Sequence, residues 1–270
     1  MTNSASSVLA RFLLRLYEPL VMLLGLGFFV LLCLVWLPAA LVLYHVLPRR
    51  RGIRVGRFVI SFGARTYLRF MTLFCVCHFD LAALDKLRSE HGLVLVANHP
   101  SLIDILLLVS RLPQAVCIMK AALMENVLFG AAARLAGYIP NNGPLEVILH
   151  SCDELNRGAH LIIFPEGTRT GHFPLERCGV GAALIAARAE APVQTLLIGF
   201  SSAYLGKAWP LWRRPRLPLS FWIRLGRRLA PAADSAALTR DIENALKSGL
   251  ATVLPEVGLT SGRAAARAVR

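Results

Sequence analysis

The most prominent pattern along the chain is a long run of uncharged, mostly apolar residues from Pro19 to Pro48. The run exceeds the roughly 20 residues that a helix needs to cross a bilayer. It ends in Arg49-Arg50-Arg51 rather than in the cleavage site of a secretory signal peptide, so we expect it to remain attached as a membrane anchor. Because Pro38 could kink one helix or divide the run into a shallow hairpin, a spanning helix and a re-entrant hairpin are both compatible with the pattern.

The residues that follow the run have the pattern of a basic amphipathic helix. Between Arg50 and Phe79 the arginines fall near one helical face and apolar residues lie elsewhere around it, as in a helix that rests on anionic lipid. A helix packed on the domain, with its arginines in solvent, is the alternative. We assign residues 1–79 to the anchor and this helix. The basic positions are Arg50, Arg54, Arg57, Arg65 and Arg69, and the apolar positions include Phe58, Phe62, Leu68 and Phe70.

Arginines also flank the uncharged run unequally. Because cytoplasmic flanks of membrane segments carry an excess of Lys and Arg, the bias predicts that the following domain faces the cytoplasm. The expected location is therefore the inner (cytoplasmic) membrane. Arg11 and Arg15 precede the run, and Arg49, Arg50, Arg51, Arg54 and Arg57 follow it.

Beyond Asp80 short apolar runs alternate with longer helical stretches. Such alternation is typical of an α/β fold with a mainly parallel sheet flanked by helices. We assign residues 80–255 to this domain, whose last helix should begin at Asp234-Ser235, and we expect the basic segment 256–270 to be mobile. Strands are predicted at 93–97, 115–119, 161–164 and within 193–200, and helices at 101–110, 127–136, 145–156 and 179–189.

The composition agrees with membrane association, because 56% of the residues are hydrophobic and only 17% are charged. The formal net charge of +14 suits an anionic partner such as nucleic acid, a lipid headgroup surface or an acidic carrier protein. The six cysteines lie mostly in apolar stretches and are expected to be reduced thiols. Cys75-Val76-Cys77-His78 has no second ligand pair at a zinc-type spacing, so we expect no metal site.

The first candidate for chemistry is the segment Asn98-His99-Pro100, which directly follows a predicted strand. His99 should therefore lie at the carboxyl end of a strand, where open α/β sheets bind their ligands. Pro100 suits the first turn of the next helix, which carries Asp104 one turn inward. If His99 lies on the loop outside that helix, Asp104 can hold one imidazole nitrogen while the other accepts a proton. A helix cap and a surface carboxylate are the alternative interpretation.

A second polar motif, Phe164-Pro165-Glu166-Gly167-Thr168-Arg169-Thr170, directly follows another predicted strand. Gly167 permits close approach of a ligand to the backbone, Thr168 adds a hydroxyl, and Arg169 offers a bidentate fork for phosphate or carboxylate. The loop could hold an anionic headgroup. The alternative is an ordinary turn in which Glu166 and Arg169 pair at the surface.

Together the two motifs resemble the signatures of the glycerolipid acyltransferase family, which includes the 1-acylglycerol-3-phosphate acyltransferases. The family has Asn-His-four residues-Asp followed by Phe-Pro-Glu-Gly-Thr-Arg at a comparable separation, and the resemblance covers roughly residues 80–205. It implies direct transfer, in which His99 deprotonates an acceptor hydroxyl, Asp104 orients His99, and the hydroxyl attacks an acyl thioester. The residues expected to bind the acceptor are Glu166, Gly167, Thr168 and Arg169.

The chain departs from the family pattern at two places. The family's middle motif usually ends in an Arg thought to contact phosphate, whereas the segment from Gly137 to Gly143 has Asn141 and Asn142 and no Arg. A later motif keeps Pro192 but has Thr195 where a second proline is common. The first departure keeps open an acceptor without a phosphate.

We therefore predict an O-acyltransferase that uses acyl-CoA or an acyl carrier protein thioester as co-substrate and needs no cofactor. The leading acceptor is 1-acyl-sn-glycerol-3-phosphate, which would give phosphatidic acid, and the alternative is another hydroxyl lipid such as a lyso-ornithine lipid or a specialised polyene lipid. A non-catalytic, membrane-tethered protein that binds an anionic ligand would explain the charge but would not need His99. Gly179-Val180-Gly181-Ala182-Ala183-Leu184 matches a dinucleotide-binding fingerprint incompletely. We expect an anionic membrane surface as a partner and no nucleic acid.

Overall fold

Helices and strands alternate along the part of the chain that the computed structural model describes, residues 2–210 and 213–256. The helices are α1 (Thr2–Val46), α2 (Arg49–Phe74), α3 (Asp104–Arg111), α4 (Ala121–Glu125), α5 (Gly130–Leu135), α6 (Pro144–Asn156), α7 (Gly181–Arg188) and α8 (Ser235–Glu256), with a 3-10 helix at Ala82–Leu87. The strands are β1 (Cys77–Asp80), β2 (Val94–Ala97), β3 (Val116–Lys120), β4 (Ile139–Asn141), β5 (Leu161–Ile163), β6 (Val193–Phe200) and β7 (Leu219–Leu229).

The seven strands form one sheet in the order β1-β7-β6-β2-β5-β3-β4. Neighbouring strands are parallel except β6 and β7, so β1 and β7 run opposite to the other five. Every residue of β2 and β6 is buried, as expected for central strands covered by helices on both faces. The predicted α/β fold with a mainly parallel sheet is confirmed.

The sequence pattern identified the central strands but not the outer ones. The four predicted strands correspond to β2, β3, β5 and β6, whereas β1, β4 and β7 were not predicted. β4 has only three residues and contains Pro140, and β7 carries Arg224, Arg227 and Arg228 among its apolar positions, so neither forms a continuous apolar run. The predicted start of the last helix is confirmed, because Asp234 Oδ1 accepts hydrogen bonds from the next helical N–H groups at 2.9 and 3.0 Å. The basic segment predicted to be mobile lies outside the described residues beyond Glu256.

The uncharged run belongs to one continuous helix, α1, which includes both Pro19 and Pro38. The re-entrant hairpin is therefore wrong. A proline removes one helical hydrogen bond, but α1 packs against α2 and α5, and this packing supports the helix. Val21 and Ala40 of α1 are fully buried in these contacts. Within the described residues, Leu13–Val46 is the one helical segment long and apolar enough to cross a membrane by length and composition.

The sequence pattern predicted that the arginines of α2 share one exposed face, but the structure does not place all of them there. Arg57 is buried, and its guanidinium donates from Nη2 to Glu154 Oε2 at 2.6 Å and from Nε to Ala136 O at 3.0 Å. Conversely, Phe58 and Phe62 are 60% and 54% exposed. The exposed side of α2 therefore mixes aromatic and basic side chains instead of separating them.

Small residues explain which side of α2 packs on the domain. A Cβ at Gly56 would lie 2.7 Å from Ala136 N, so the backbones of α2 and the end of α5 approach each other closely only because that position is glycine. Ala64 and Ser61 are buried on the same side. The small residues, and not the spacing of the arginines, decide which side of α2 packs on the domain. The charge pattern alone therefore placed Arg57 on the wrong side of the helix.

Burial of His160 predicts a pH-dependent contribution to stability. The Leu93 N–H donates to His160 Nδ1 at 3.4 Å, so Nδ1 is unprotonated, and Nε2 donates to Leu87 O at 3.1 Å. Desolvation lowers the pKa of His160. Between the folded and the unfolded pKa the unfolded chain binds more protons, so this contribution is fully present above about pH 6.5 and is lost as the pH falls below it.

Thermal unfolding of the detergent-solubilised protein at about pH 7.5 and about pH 5.5 measures this effect. We expect the wild type to lose more stability on acidification than His160→Gln, whose side chain does not titrate. His150→Gln, an exposed change on α6, is the control and should behave as the wild type. Equal losses in the wild type and His160→Gln would contradict the prediction.

Candidate active site

The two polar motifs of the sequence lie side by side at the edge of the sheet where the parallel strands end. His99 follows β2 and Glu166 follows β5, and these strands are neighbours. Asn98 fixes the first loop, because its side-chain amide donates to Ile198 O and its carbonyl accepts from Ile198 N–H, both at 2.8 Å. The loop after β2 is thereby fastened to the adjacent strand β6.

His99 and Asp104 are in direct contact, with 2.9 Å between Nδ1 and Oδ2. His99 lies on the loop outside α3, and Asp104 is the first residue of that helix. Asp104 Oδ2 also accepts the Ser101 N–H at 2.7 Å. Since a backbone N–H can only donate, Oδ2 acts as an acceptor, and the proton of the imidazole belongs on Nδ1. The arrangement leaves the lone pair of Nε2 available to take a proton.

The two partners differ in exposure. The Asp104 side chain is fully buried, whereas that of His99 is 16% exposed. Burial raises the pKa of the Asp104 carboxyl, and the hydrogen bonds from His99 and from the Ser101 N–H oppose that rise. Positive charge on the imidazole would therefore be stabilised by a carboxylate that water does not screen.

Phe164, the residue after β5, holds the plane of the imidazole. Its ring stacks on His99 with 3.9 Å between ring centroids and 15° between the planes. The stacking and the Asp104 hydrogen bond together restrict both torsions of the His99 side chain. Sequence reasoning included Phe164 in the second motif without giving it this contact.

Glu166 braces the backbone of His99. Its Oε1 accepts the His99 N–H at 3.1 Å and the Thr170 hydroxyl at 2.7 Å, and its Oε2 accepts the Glu176 N–H at 2.9 Å. Thr170 closes the link by donating its own N–H to His99 O at 2.7 Å. Glu166 therefore joins the two motifs through hydrogen bonds that orient the loop carrying His99.

The remaining residues of the second motif differ in their contacts. Arg169 donates from Nη1 to Leu205 O and Gly206 O at 3.0 and 2.8 Å, so it ties the motif to the loop after β6. The surface pair of Glu166 with Arg169, the alternative considered from the sequence, is wrong. Gly167 adopts a φ of 67°, which favours glycine, and its Cα faces open space. Thr168 is half-buried beside it.

The flank that lacks the expected arginine lies three strands from His99. Asn141 ends β4 and pairs in register with Lys120 at the end of β3. Asn141, Asn142 and Lys120 are all exposed. Sequence reasoning did not single out Lys120, although its place directly after an apolar run is the same signal that identified His99.

A model of the family described as "Acyltransferase" matches residues 78–199. A 1-acyl-sn-glycerol-3-phosphate acyltransferase from Helicobacter pylori strain J99 is 31% identical over an alignment of 138 residues, and the match covers 46% of this chain. The match spans 57% of the length of that relative.

A solved structure has a similar fold. The 1-acyl-sn-glycerophosphate (LPA) acyltransferase PlsC from Thermotoga maritima aligns with a TM-score of 0.67, covering 89% of this chain and 97% of its own. The sequences are 17% identical, so this likeness concerns the fold.

Proposed function

We propose that the chain, which a model of the acyltransferase family matches over residues 78–199, is a glycerolipid acyltransferase and transfers a fatty acyl group from a thioester to the hydroxyl of a lysolipid. The observation that carries the proposal is the His99–Asp104 contact of 2.9 Å. It holds one imidazole nitrogen on a buried carboxylate and leaves the other nitrogen of the partly exposed His99 side chain to take a proton, as a general base requires.

The proposed reaction is direct transfer. His99 Nε2 takes the proton from the acceptor hydroxyl as its oxygen attacks the thioester carbonyl carbon. The tetrahedral intermediate collapses with cleavage of the C–S bond, and the leaving thiolate takes the proton from the imidazolium. Asp104 stabilises the imidazolium between these two steps, and Glu166, Gly167, Thr168 and Arg169 would shape the acceptor side of the site. No metal or other cofactor takes part.

The thiols support direct transfer over a cysteine acyl-enzyme. A nucleophilic cysteine requires a thiolate, but burial raises the pKa of Cys178 to about 12 and that of Cys117 to about 12. The Glu243 and Glu166 carboxylates raise the pKa of Cys178 further. These groups would be almost entirely protonated at neutral pH.

A membrane location is supported by the exposed apolar surface of α1 and α2. Leu23, Val35 and Val42 of α1 are 71%, 71% and 60% exposed, and Phe58 of α2 is 60% exposed beside basic residues. Apolar side chains interleaved with arginine suit the boundary between hydrocarbon and anionic headgroups. We propose that the protein is bound to the inner membrane with its active site toward the cytoplasm.

The leading acceptor is 1-acyl-sn-glycerol-3-phosphate, the substrate in the name of the Helicobacter pylori relative. Asn141 and Asn142, which stand where the family usually has an Arg, favour a second candidate, a hydroxyl lipid without that phosphate. A lyso-ornithine lipid and a polyene lipid hydroxyl belong to this class. Either acyl-CoA or an acyl carrier protein thioester could be the donor, since both are acidic and the chain carries +14.

The purified protein, offered these acceptors with each donor in turn, tests the proposal. We expect turnover of lysophosphatidate to phosphatidate with release of free thiol. Turnover of another hydroxyl lipid alone would replace the acceptor and keep the reaction. Absence of acyl transfer to every acceptor, by a protein that binds vesicles, would contradict the enzymatic function.

A further inference from the structure

Three arginines surround a small cavity in the loop between β6 and β7. The cavity has a volume of about 30 Å³ and is lined by Ser202, Ala203, Trp209, Arg213, Arg214 and Arg216. A water-sized group needs about 10–15 Å³ on this measure, so the space accepts about two oxygen atoms of a larger anion. None of these residues belongs to the motifs that identified the active site.

Much of the positive charge at the cavity lacks a nearby carboxylate. Arg214 Nε lies 3.7 Å from Glu18 Oε2, whereas Arg213 and Arg216 have no carboxylate within 4.0 Å in the described part of the chain. The Arg213 guanidinium instead lies over the Trp209 ring, 4.4 Å from its centroid. The aromatic face orients this cation but leaves its N–H donors for another partner.

The loop around the cavity is braced by its own hydrogen bonds. Trp209 Nε1 donates to Arg213 O at 3.2 Å, the Arg213 N–H donates to Pro210 O at 2.9 Å, and the Ser202 hydroxyl donates to Arg216 O at 3.0 Å. These bonds hold the backbone of Arg213 and Arg216, which lie in the described part of the loop. A site whose donors are held in place in advance binds with a smaller entropic cost.

This loop also touches the catalytic turn. Ser101, next to Pro100, donates its hydroxyl to Tyr204 O at 2.6 Å, and the Leu102 N–H donates to Leu205 O at 3.0 Å. β6 is the direct neighbour of β2, so the loop begins about 5 Å from the strand that presents His99. The Asn141 flank is three strands away, about 14 Å.

Contacts between this loop and α1 indicate that the anion it binds is a lipid headgroup. Glu18, which accepts from Leu217 N–H at 3.4 Å and pairs with Arg214, directly precedes the uncharged run that begins at Pro19. The cavity therefore lies beside the residue at which the apolar segment begins, and Trp and Arg side chains at the ends of apolar segments commonly meet lipid headgroups.

We propose that Arg213, Arg214 and Arg216 form a binding site for the phosphate of a lipid headgroup beside the catalytic turn. Guanidinium groups match phosphate because their donors form bidentate, charge-assisted hydrogen bonds. The phosphate belongs either to the lysolipid acceptor, in which case the inference rests on the proposed function, or to an anionic lipid of the bilayer. The site would supply, from the β6 side, the phosphate contact that the Asn141 flank lacks.

The test compares Arg213→Gln/Arg216→Gln with Arg188→Gln/Arg240→Gln. The control pair removes the same charge from exposed positions on α7 and α8. Equilibrium sedimentation measures binding to phosphatidylcholine vesicles with and without phosphatidylglycerol or lysophosphatidate. Kinetics measure kcat and KM for lysophosphatidate and for its phosphate-free analogue, 1-acylglycerol. Circular dichroism and thermal unfolding confirm that each variant is folded.

If the site holds the acceptor phosphate, the loop variant should raise KM for lysophosphatidate about tenfold with little change in kcat, and leave 1-acylglycerol unaffected. If it holds a bilayer lipid, the variant should bind phosphatidylglycerol vesicles about tenfold more weakly with KM unchanged. Equal behaviour of the loop and control variants in both arms overturns the proposal. A rise in KM for lysophosphatidate that occurs in Lys120→Gln and not in the loop variant also overturns the proposal, because it would assign the phosphate to the Asn141 flank.

Vesicle binding tests the arginine site even if the proposed enzymatic function is wrong. If the wild type turns over no lysolipid, sedimentation with vesicles that contain lysophosphatidate or phosphatidylglycerol still reports on the arginines. Weaker binding by the loop variant than by the control variant would then keep the site and discard the enzymatic function.

Discussion

His99→Ala is expected to lower kcat for acyl transfer by about 10²–10⁴-fold while the protein stays folded. Alanine removes the group whose Nε2 takes the proton from the acceptor hydroxyl in the proposed reaction. The fold should tolerate the change, because the His99 side chain is partly exposed and the loop is held by its backbone hydrogen bonds to Glu166 and Thr170. Single-turnover measurements at saturating acceptor separate this loss from a change in binding.

Two further variants sharpen that result. Asp104→Asn keeps the size of the side chain but removes the charge that stabilises the imidazolium, so it should also lower kcat by a large factor with KM little changed. His150→Ala removes an exposed histidine from α6 and should leave kcat unchanged. Full activity of His99→Ala would show that another group is the base and that the His99–Asp104 contact only supports the loop.

The sequence was sufficient to place the two motifs because each follows a buried apolar strand of the parallel sheet. Parallel strands end at one edge, so residues 67 positions apart in the chain, His99 and Glu166, could be expected near each other. The prediction that Pro100 lies in the first turn of the helix is wrong, because α3 begins at Asp104. Asp104 instead reaches His99 through the turn before the helix, where the Ser101 N–H donates to Asp104 Oδ2.

What the sequence could not predict is how single side chains divide their hydrogen bonds. That Glu166 and Arg169 bind the acceptor stays a prediction, but the sequence did not show that three donors contact the Glu166 carboxylate or that Arg169 donates to two carbonyl groups of the loop after β6. These partners come from loops whose paths are set by tertiary packing. For the same reason the arginine cavity had no sequence signal beyond a local excess of Arg and Trp.

In helix α2 the sequence pattern predicted an exposed side chain, Arg57, where the structure has a buried one. Its arginines have a regular period, and period alone grouped Arg57 with the exposed ones. The side that packs is set by Gly56 and its close approach to Ala136, which a helical projection of charge does not report. That packing buries Arg57, and its guanidinium donates hydrogen bonds to Glu154 and to a backbone carbonyl.

Arg57→Met should therefore lower the free energy of unfolding by about 3–5 kcal/mol, the usual cost of breaking a buried ion pair. The change removes the 2.6 Å bond to Glu154 Oε2 and leaves Ala136 O without the Arg57 Nε donor. Arg157 still pairs with Glu154 Oε1 at 2.9 Å, but it is 65% exposed, and this remaining partner places the expected loss toward the lower end of that range.

Thermal and chemical unfolding in detergent measure the loss against Arg54→Met, an exposed change on the same helix that should alter stability by less than about 0.5 kcal/mol. The double variant Arg57→Met/Glu154→Met should recover much of the loss, because it removes the unpaired charge together with its partner. If Arg57→Met is no less stable than Arg54→Met, the pair does not hold α2 on α6. A double variant as unstable as Arg57→Met would instead assign the loss to the Arg57 side-chain packing and its bond to Ala136.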